Sequence, residues 1–149
     1  MLGVLQVVRA FAPVLERNGG GAVVDVLSAL SWLHLPGAGA YGAAKAAEWA
    51  MGNALRQELA EQGTSLTALH VGYMDTDMTA GLDVPKADPA LVARATLDGV
   101  EAGEPEVLAD DTSRGVKSLL SGDLRQALPV ARLTALAEMR VAVHHRCAR

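Results

Sequence analysis

The chain has 149 residues, half of them apolar, and a formal net charge of −4 at pH 7. This length suits a single domain with a sizeable core and is short for two. The negative balance gives no electrostatic reason to expect nucleic acid as a partner. The longest apolar runs, such as residues 21–30, are too short or too broken to cross a bilayer, which requires about 20 residues. We therefore predict neither a nucleic-acid nor a membrane partner.

The cysteine content and the first residues bear on location. Cys147 is the single cysteine, so it can form neither an internal disulfide nor a cysteine-based metal cluster. Residues 1–13 carry one arginine and lack the basic start and cleavage pattern of a secretory signal. We expect a cytoplasmic protein without a metal site.

The first two predicted elements are a helix and a strand. Residues 2–15 have apolar side chains at helical spacing and precede a glycine run that would stop a helix. Pro13 removes an amide inside this helix, which predicts a kink. Residues 22–28 form a β-branched run typical of a strand buried on both faces, with Ser28 at its carboxyl end. The glycine run follows a helix and opens a strand, the reverse of a phosphate-binding loop.

An alanine-rich helix is predicted next, over residues 40–62, with Gly63 as its stop. The later elements are a second buried strand, a turn-rich connection, a helix, a short strand and two helices, at residues 65–71, 72–89, 89–102, 105–109, 111–121 and 129–143. Asp111 or Thr112 would cap the helix over residues 111–121. Strands that alternate with helices indicate an α/β fold with a parallel sheet and right-handed crossovers.

Three residues in this pattern could carry chemistry. Tyr41 and Lys45 are four residues apart near a helix start, so they lie on one face, one turn apart. A free tyrosine titrates at about pH 10, and a neighbouring ammonium favours its ionised form. Ser28 follows a strand at the edge where parallel α/β sheets place ligands, and its hydroxyl can donate to a substrate oxygen. Together they could polarise a carbonyl and exchange its proton while a cofactor moves hydride.

Simpler interpretations exist for each of these residues. A surface tyrosine beside a solvated lysine is common in helices, and Glu48 could pair with Lys45 or simply face solvent. We interpret His70, inside the second strand, as a core or edge histidine with satisfied hydrogen bonds. The ordered set of buried strand, serine, glycine-containing turn, tyrosine and lysine favours a site over coincidence.

In this order and context, residues 2–128 resemble the short-chain dehydrogenase/reductases, notably in the Tyr-Gly-Ala-Ala-Lys helix start. The resemblance implies that Ser28 orients the substrate oxygen and that Tyr41 donates or accepts the proton. It implies that Lys45 promotes ionisation of the tyrosine and holds the nicotinamide ribose together with Tyr41.

The resemblance continues after the second strand, where family members usually carry Pro-Gly and then a threonine that touches the nicotinamide amide. Gly72 and Thr76 fit these cofactor-binding positions, whereas Val71 replaces the proline. The alternative interpretation of the Asp-Thr-Asp stretch around Thr76 is a polar loop or cap. The cofactor implied by the resemblance is NAD or NADP.

The resemblance also implies a cofactor-binding half that is absent from these residues. Complete members begin with a strand, a glycine-rich pyrophosphate-binding turn and a helix, whereas residues 1–11 resemble the middle of the helix before the serine strand. The family's catalytic asparagine would fall before Met1. We therefore expect a truncated chain with weak or no activity, and an unpaired apolar sheet edge over residues 23–27.

These arguments predict a partial Rossmann-like, doubly wound sheet of about three parallel strands in residues 1–128, with residues 129–149 as an appended helix and basic tail. The expected function is NAD(P)-dependent hydride transfer to or from a small-molecule alcohol or carbonyl, impaired in this chain. The alternative is a non-catalytic remnant that serves as a structural or association module. Family habit further suggests a homo-oligomer through the helices at residues 2–15 and 40–62.

Overall fold

A computed structural model of the protein describes residues 1–120. The elements in chain order are α1 (Leu2–Arg17), β1 (Gly21–Val26), α2 (Gly39–Ala60), β2 (Thr64–His70), α3 (Pro89–Glu101), β3 (Glu106–Leu108) and α4 (Asp111–Leu119). Short 3₁₀ turns at Ala29–Ser31 and Asp77–Thr79 follow β1 and β2. The predicted helix over residues 129–143 and the predicted domain boundary after residue 128 lie outside the described part of the chain.

The three strands form one parallel sheet in the order β1-β2-β3. β1 pairs with β2 from Gly21 opposite Thr64 to Val26 opposite Leu69, and β3 pairs with the last three residues of β2. The carboxyl ends of all three strands therefore lie at the same edge of the sheet. The α/β fold and its Rossmann-like parallel sheet agree with the prediction from the sequence.

The helices cover the two faces of the sheet unequally. One core cluster places Val8 of α1 and Leu55 and Leu59 of α2 against Leu66 of β2. A second cluster, on the other face, joins Leu69 and Val71 to Val92 of α3 and Val107 of β3. A smaller cluster brings Val116 of α4 against Ala29 and Trp32. Burial of each large aliphatic side chain contributes about 1.5–3 kcal/mol, so the first two clusters dominate the stability of the fold.

The prediction that the first strand is buried on both faces is wrong. Val24 and Val26 are 38% and 51% exposed, whereas Asp25 on the opposite face is buried. β1 lies at the edge of the described sheet, and α3, which covers this face at Leu69 of β2, does not cover the two valines of β1. The edge of β1 is unpaired within residues 1–120, as predicted. The strand also ends at Val26, two residues before Ser28.

The helix boundaries show one further error. The N-cap of α4 is Asp110, not Asp111 or Thr112, because Oδ1 of Asp110 accepts a hydrogen bond from the amide of Ser113 at 2.8 Å. α1 continues through Pro13 to Arg17. Gly63 follows α2 with φ of +74°, as expected of a left-handed helix stop. Within residues 1–120, no helix combines the length and apolar character needed to span a membrane.

Candidate active site

Lys45 links helix α2 to the carboxyl end of β1. Its Nζ donates to the carbonyl oxygen of Val26 at 2.8 Å and to Oε1 of Glu48 at 2.9 Å. The first bond exists because the backbone of an edge strand leaves its last carbonyl available to a side chain. An ammonium has three hydrogens, so one of them remains available for a further acceptor.

Tyr41 lies one helical turn before Lys45, near the amino end of α2. The four-residue spacing places the two side chains on the same helix face, as predicted. The tyrosine side chain is 46% exposed, so a molecule arriving from solvent can reach it.

Ser28 lies just beyond β1 and is buried. Its side chain caps the short 3₁₀ turn by accepting a hydrogen bond from the amide of Leu30 at 3.1 Å, and its own amide donates to Oγ of Ser31 at 3.4 Å. The hydroxyl of Ser28 accepts in this cap, which leaves its hydrogen available for donation. The residue can therefore serve both as a cap and as a donor.

Gly72 and Thr76 lie beyond the carboxyl end of β2, on the loop neighbouring Ser28's strand. The amide of Gly72 donates to Oδ2 of Asp110 at 2.8 Å, and a Cβ at this position would lie 2.9 Å from Cβ of Thr112. Close packing against the start of α4 thus requires glycine here. Thr76 is exposed, and its Oγ1 lies 3.5 Å from the carbonyl oxygen of Met74, which leaves the hydroxyl accessible.

A pair of buried carboxyl groups lies behind Lys45, and of the two the sequence indicated only Glu48 as a possible partner of the lysine. Asp25 and Glu48 are 6% and 3% exposed, and their side chains share a hydrogen bond. Burial, followed by the nearby charge and hydrogen bond of Glu48, raises the pKa of Asp25 to about 7. Burial opposes ionisation of Glu48, but hydrogen bonds from Lys45 and Asp25 outweigh it and lower the pKa of Glu48. Glu48 therefore pairs with Lys45 instead of facing solvent. An aspartate inside an apolar strand was the available signal, because a buried charge requires a partner.

A second buried polar cluster supports the backbone of Ser28. His70 is completely buried, its Nδ1 lies 3.2 Å from the carbonyl oxygen of Ser28, and its ring stacks on Trp32 at 3.7 Å. Burial lowers the pKa of His70, so the ring is neutral at pH 7 and Nδ1–H donates to Ser28. The prediction of a core histidine is confirmed, but the predicted satisfaction of its hydrogen bonds is wrong for Nε2, which is buried without a hydrogen-bond partner among the described residues.

The far side of this cluster is an ion pair. Glu106 contacts Lys117 and accepts a hydrogen bond from Nε1 of Trp49 at 2.8 Å. Burial opposes ionisation of Glu106, but these two donors lower its pKa. The ammonium of Lys117 lies 4.5 Å from the centre of the Trp32 ring, a cation–π contact. The backbone of Ser28 therefore rests on a packed cluster of side chains, in which Nε1 of Trp32 and Nε2 of His70 are buried without a hydrogen-bond partner among the described residues.

A groove of about 550 Å³ adjoins the lysine. Its apolar walls come mainly from α1 and β1, with Leu55 of α2 and Leu66 of β2, and its polar lining consists of Asp25, Lys45 and Glu48. Among residues 1–120, no group of three His, Cys, Asp or Glu side chains is arranged to hold a metal ion. The polar side chains at this edge can form hydrogen bonds and transfer protons.

Comparison with curated proteins finds oxidoreductases. The chain is 33% identical over 105 residues to the uncharacterized oxidoreductase YbbO of Escherichia coli, covering 67% of this chain and 39% of that protein. It is 35% identical over 81 residues to an uncharacterized oxidoreductase of Staphylococcus epidermidis, covering 54% of this chain and 35% of that protein. The chain thus spans less than half the length of these curated relatives.

Comparison with solved structures finds short chain dehydrogenases. A crystal structure of a short chain dehydrogenase from Burkholderia cenocepacia in complex with NADP superposes with a TM-score of 0.79 at 34% identity, covering 89% of this chain and 55% of that one. Residues 1–86, more than half of the chain, match the short chain dehydrogenase family itself. The chain belongs to the short chain dehydrogenase family of oxidoreductases.

Proposed function

We propose that this chain carries the catalytic residues of an NAD(P)-dependent oxidoreductase that transfers hydride between a nicotinamide cofactor and a small-molecule alcohol or carbonyl. The observation that carries the proposal is the position of Lys45. Its ammonium is fixed 2.8 Å from the carbonyl of Val26, two residues before Ser28, and Tyr41 lies one turn ahead on the same helix. These positions support a joint role for a hydroxyl donor, a phenol and a cation at this edge of the sheet.

The residues present fit the nicotinamide end of such a cofactor. The remaining hydrogen of the Lys45 ammonium and the accessible hydroxyl of Thr76 are donors of the kind that ribose hydroxyls and a carboxamide oxygen accept. The NADP in the Burkholderia cenocepacia structure supports this assignment. Among residues 1–120, no short glycine-rich turn joins a strand directly to a helix, because Gly37 and Gly39 precede and open α2 but are separated from β1 by a 3₁₀ turn. This part of the chain therefore lacks the usual cradle for a pyrophosphate.

In the proposed reaction, the hydroxyl of Ser28 donates a hydrogen bond to the substrate oxygen and orients the carbonyl. Tyr41 gives its proton to that oxygen during reduction and accepts it during oxidation. The positive charge of Lys45 stabilises the tyrosinate left behind. When bound, the nicotinamide supplies or accepts the hydride.

We further propose that the 149 residues alone bind the dinucleotide weakly, because the chain spans 55% of the NADP-bound structure. The chain is titrated with NADPH and with NADH, and binding is followed by cofactor fluorescence. We expect no saturation below millimolar concentration, since a millimolar Kd corresponds to a binding free energy of only about 4 kcal/mol. Micromolar binding would contradict this expectation.

Turnover tests the function directly. The chain is incubated with millimolar NADPH, or with reduced nicotinamide mononucleotide, which lacks the pyrophosphate, and with a panel of aldehydes and ketones while absorbance at 340 nm is followed. We expect Tyr41→Phe to lower the rate by about 100-fold or more, since proton transfer contributes roughly that much. Tyr73→Phe, the same change at the chain's other tyrosine, serves as the control. Equal rates for the chain and Tyr41→Phe with every substrate would reject the oxidoreductase and favour the association module.

The apolar surface of α1 supports an additional proposal, that copies of this chain associate. Val7 and Phe11 are 58% and 60% exposed on consecutive turns of the helix. Together with the unpaired edge of β1 they form an apolar surface that favours self-association. Sedimentation measurements at several concentrations test this proposal.

A further inference from the structure

A buried acidic pair lies directly behind the candidate catalytic lysine. Glu48 follows Lys45 by three residues on α2, and its Oε1 accepts from Nζ at 2.9 Å. Asp25 reaches the same point from the middle of β1 and forms a side-chain hydrogen bond with Glu48. The other acceptor for Nζ is the carbonyl oxygen of Val26, the residue that follows Asp25. The ammonium is therefore held between strand and helix by groups that adjoin Asp25.

The Asp25 carboxyl packs against the surface of α2. Gly52 lies one turn after Glu48, and a Cβ at this position would lie 3.4 Å from Oδ2 of Asp25. Oδ2 of Asp25 therefore lies close to the backbone of α2 at Gly52, one turn beyond Glu48. Neither carboxyl is a solvated surface group, since both residues are buried.

Two carboxyl groups in contact away from bulk water do not both ionise readily, because like charges repel. The charged groups that face Asp25 are Glu48 and Lys45 on α2 and the amino group of Met1 before α1, which lies 3.4 Å from Glu48. Asp25 is the member that keeps its proton, and Glu48 is the member that ionises. The lysine, the glutamate and the neutral aspartic acid then carry no net charge together.

Building on the function proposed above, we propose that Asp25 and Glu48 are positioning residues for Lys45. Protonated Asp25 donates to Glu48, and the single negative charge on Glu48 fixes the ammonium beside the Val26 carbonyl. Ionisation of Asp25 adds a second negative charge behind the lysine and draws the ammonium toward the pair, away from Tyr41. The acidic pair thus sets where the lysine charge lies and over which pH range it stays there.

The test observes the lysine ammonium itself in the full chain, without cofactor. The chain has three lysines, Lys45, Lys86 and Lys117, so ¹⁵N-lysine labelling gives a simple proton–nitrogen spectrum. Ammonium protons are visible only where hydrogen bonds slow their exchange with water. We expect a Lys45 signal, assigned by its loss in Lys45→Met, in the unmodified chain and in Asp25→Asn. We expect that signal to disappear in Glu48→Gln.

A carbon-detected carboxyl titration is the second readout. Asp25 is expected to titrate at about pH 7 in the unmodified chain. Its midpoint is expected to fall by about one pH unit or more in Glu48→Gln, because the neighbouring charge is removed. Glu58→Gln removes the same charge from an exposed position on the same helix and is expected to change neither readout.

A second variant keeps the test decisive if Glu48→Gln does not fold. Asp25→Ala removes the donor to Glu48 and is expected to broaden the Lys45 signal, whereas Asp25→Asn is expected to restore it. An unchanged Lys45 signal in the folded Glu48→Gln or Asp25→Ala chain, or an Asp25 midpoint below about pH 5, would overturn the proposal. A failure of the Tyr41 turnover experiment would reject the oxidoreductase function and leave these spectra unaffected, so the two failures are distinguishable.

Discussion

β1 and β2 are adjacent strands with apolar sequences, but they are buried to different extents. From Leu66 to His70 every residue of β2 is buried, whereas in β1 only Asp25 is. β2 is paired on both edges and covered on both faces, whereas β1 is paired only with β2 and covered on one face in the described residues. Burial in this sheet is set by position among the other elements more than by composition.

The polar residue in each strand reflects the same difference. His70 in β2 is sealed between Trp32, the backbone of Ser28 and Glu106, so it remains neutral. Asp25 in β1 lines a groove, where it can exchange a proton with water near neutral pH. The buried strand β2 therefore supports the site from below with a neutral histidine. The edge strand β1 carries Asp25, the residue that titrates near neutral pH.

Truncation of a core residue should show the largest contrast between the strands. Leu69→Ala in β2 is expected to lower the free energy of unfolding by about 2–5 kcal/mol, because it leaves a cavity against α3. Val26→Ala in β1, directly opposite Leu69 in the register, should cost less than about 1 kcal/mol because the side chain is half exposed. Urea denaturation followed by circular dichroism measures both. Equal losses would show that β1 is covered in solution.

The acidic pair should make stability depend on pH with a sign opposite to that of an ordinary aspartate. The folded pKa of Asp25, about 7, lies above its unfolded value, so its contribution is complete below about pH 4 and is lost as the pH rises toward 7. The lowered pKa of Glu48 gives stability that is lost as the pH falls through its folded pKa.

Asp25→Asn isolates this contribution. Between pH 5 and pH 7.5, the unmodified chain should lose on the order of 2 kcal/mol relative to Asp25→Asn, less than full linkage because the groove admits water. His70, whose pKa is lowered by burial, destabilises both proteins alike in acid and cancels in the comparison. Denaturant midpoints measured at intervals of half a pH unit test this; parallel profiles would mean that Asp25 ionises normally.

The loop after β2 is hydrogen-bonded to the N-cap residue of α4. Asp110 caps α4 and also accepts from the amide of Gly72, so Asp110→Ala should cost about 1–2 kcal/mol. Asp111→Ala, at the next position, removes an exposed carboxylate that pairs only with Arg114 in the described part of the chain and should cost about 0.5 kcal/mol or less. Thermal unfolding of the two variants measures both losses and shows which aspartate caps α4. A larger loss for Asp111 would contradict the assignment of the cap.

A charge on the exposed face of β1 should have the smallest effect on stability. Val24→Lys is expected to change the free energy of unfolding by no more than about 0.5 kcal/mol, because the side chain already lies in contact with solvent. The same change should reduce self-association, since edge lysines oppose strand pairing between chains. Sedimentation velocity at several concentrations measures the association. A large loss of stability in the monomer would show that Val24 is buried.

Much of the fold could be predicted from local pattern. Helical spacing indicated α1 and α2, and glycine marked the end of α2 because Gly63 adopts the left-handed conformation that other residues avoid. The four-residue spacing of Tyr41 and Lys45 placed them on one face of α2, since helix geometry is local. Ser28 was assigned to the strand itself, whereas it caps the turn that follows.

The burial of β1 and the two strand groups near Lys45, the Val26 carbonyl and Asp25, could not be predicted in this way. Asp25 and Glu48 are 23 residues apart in the sequence, and only the crossover from β1 to α2 brings their carboxyl groups together. The sequence by itself determined the order of elements, the parallel sheet and the tyrosine–lysine pair, because these depend on short-range geometry and residue type. The tertiary structure alone decided which face of β1 is exposed and which groups of that strand lie beside the lysine, because each depends on how separate elements pack.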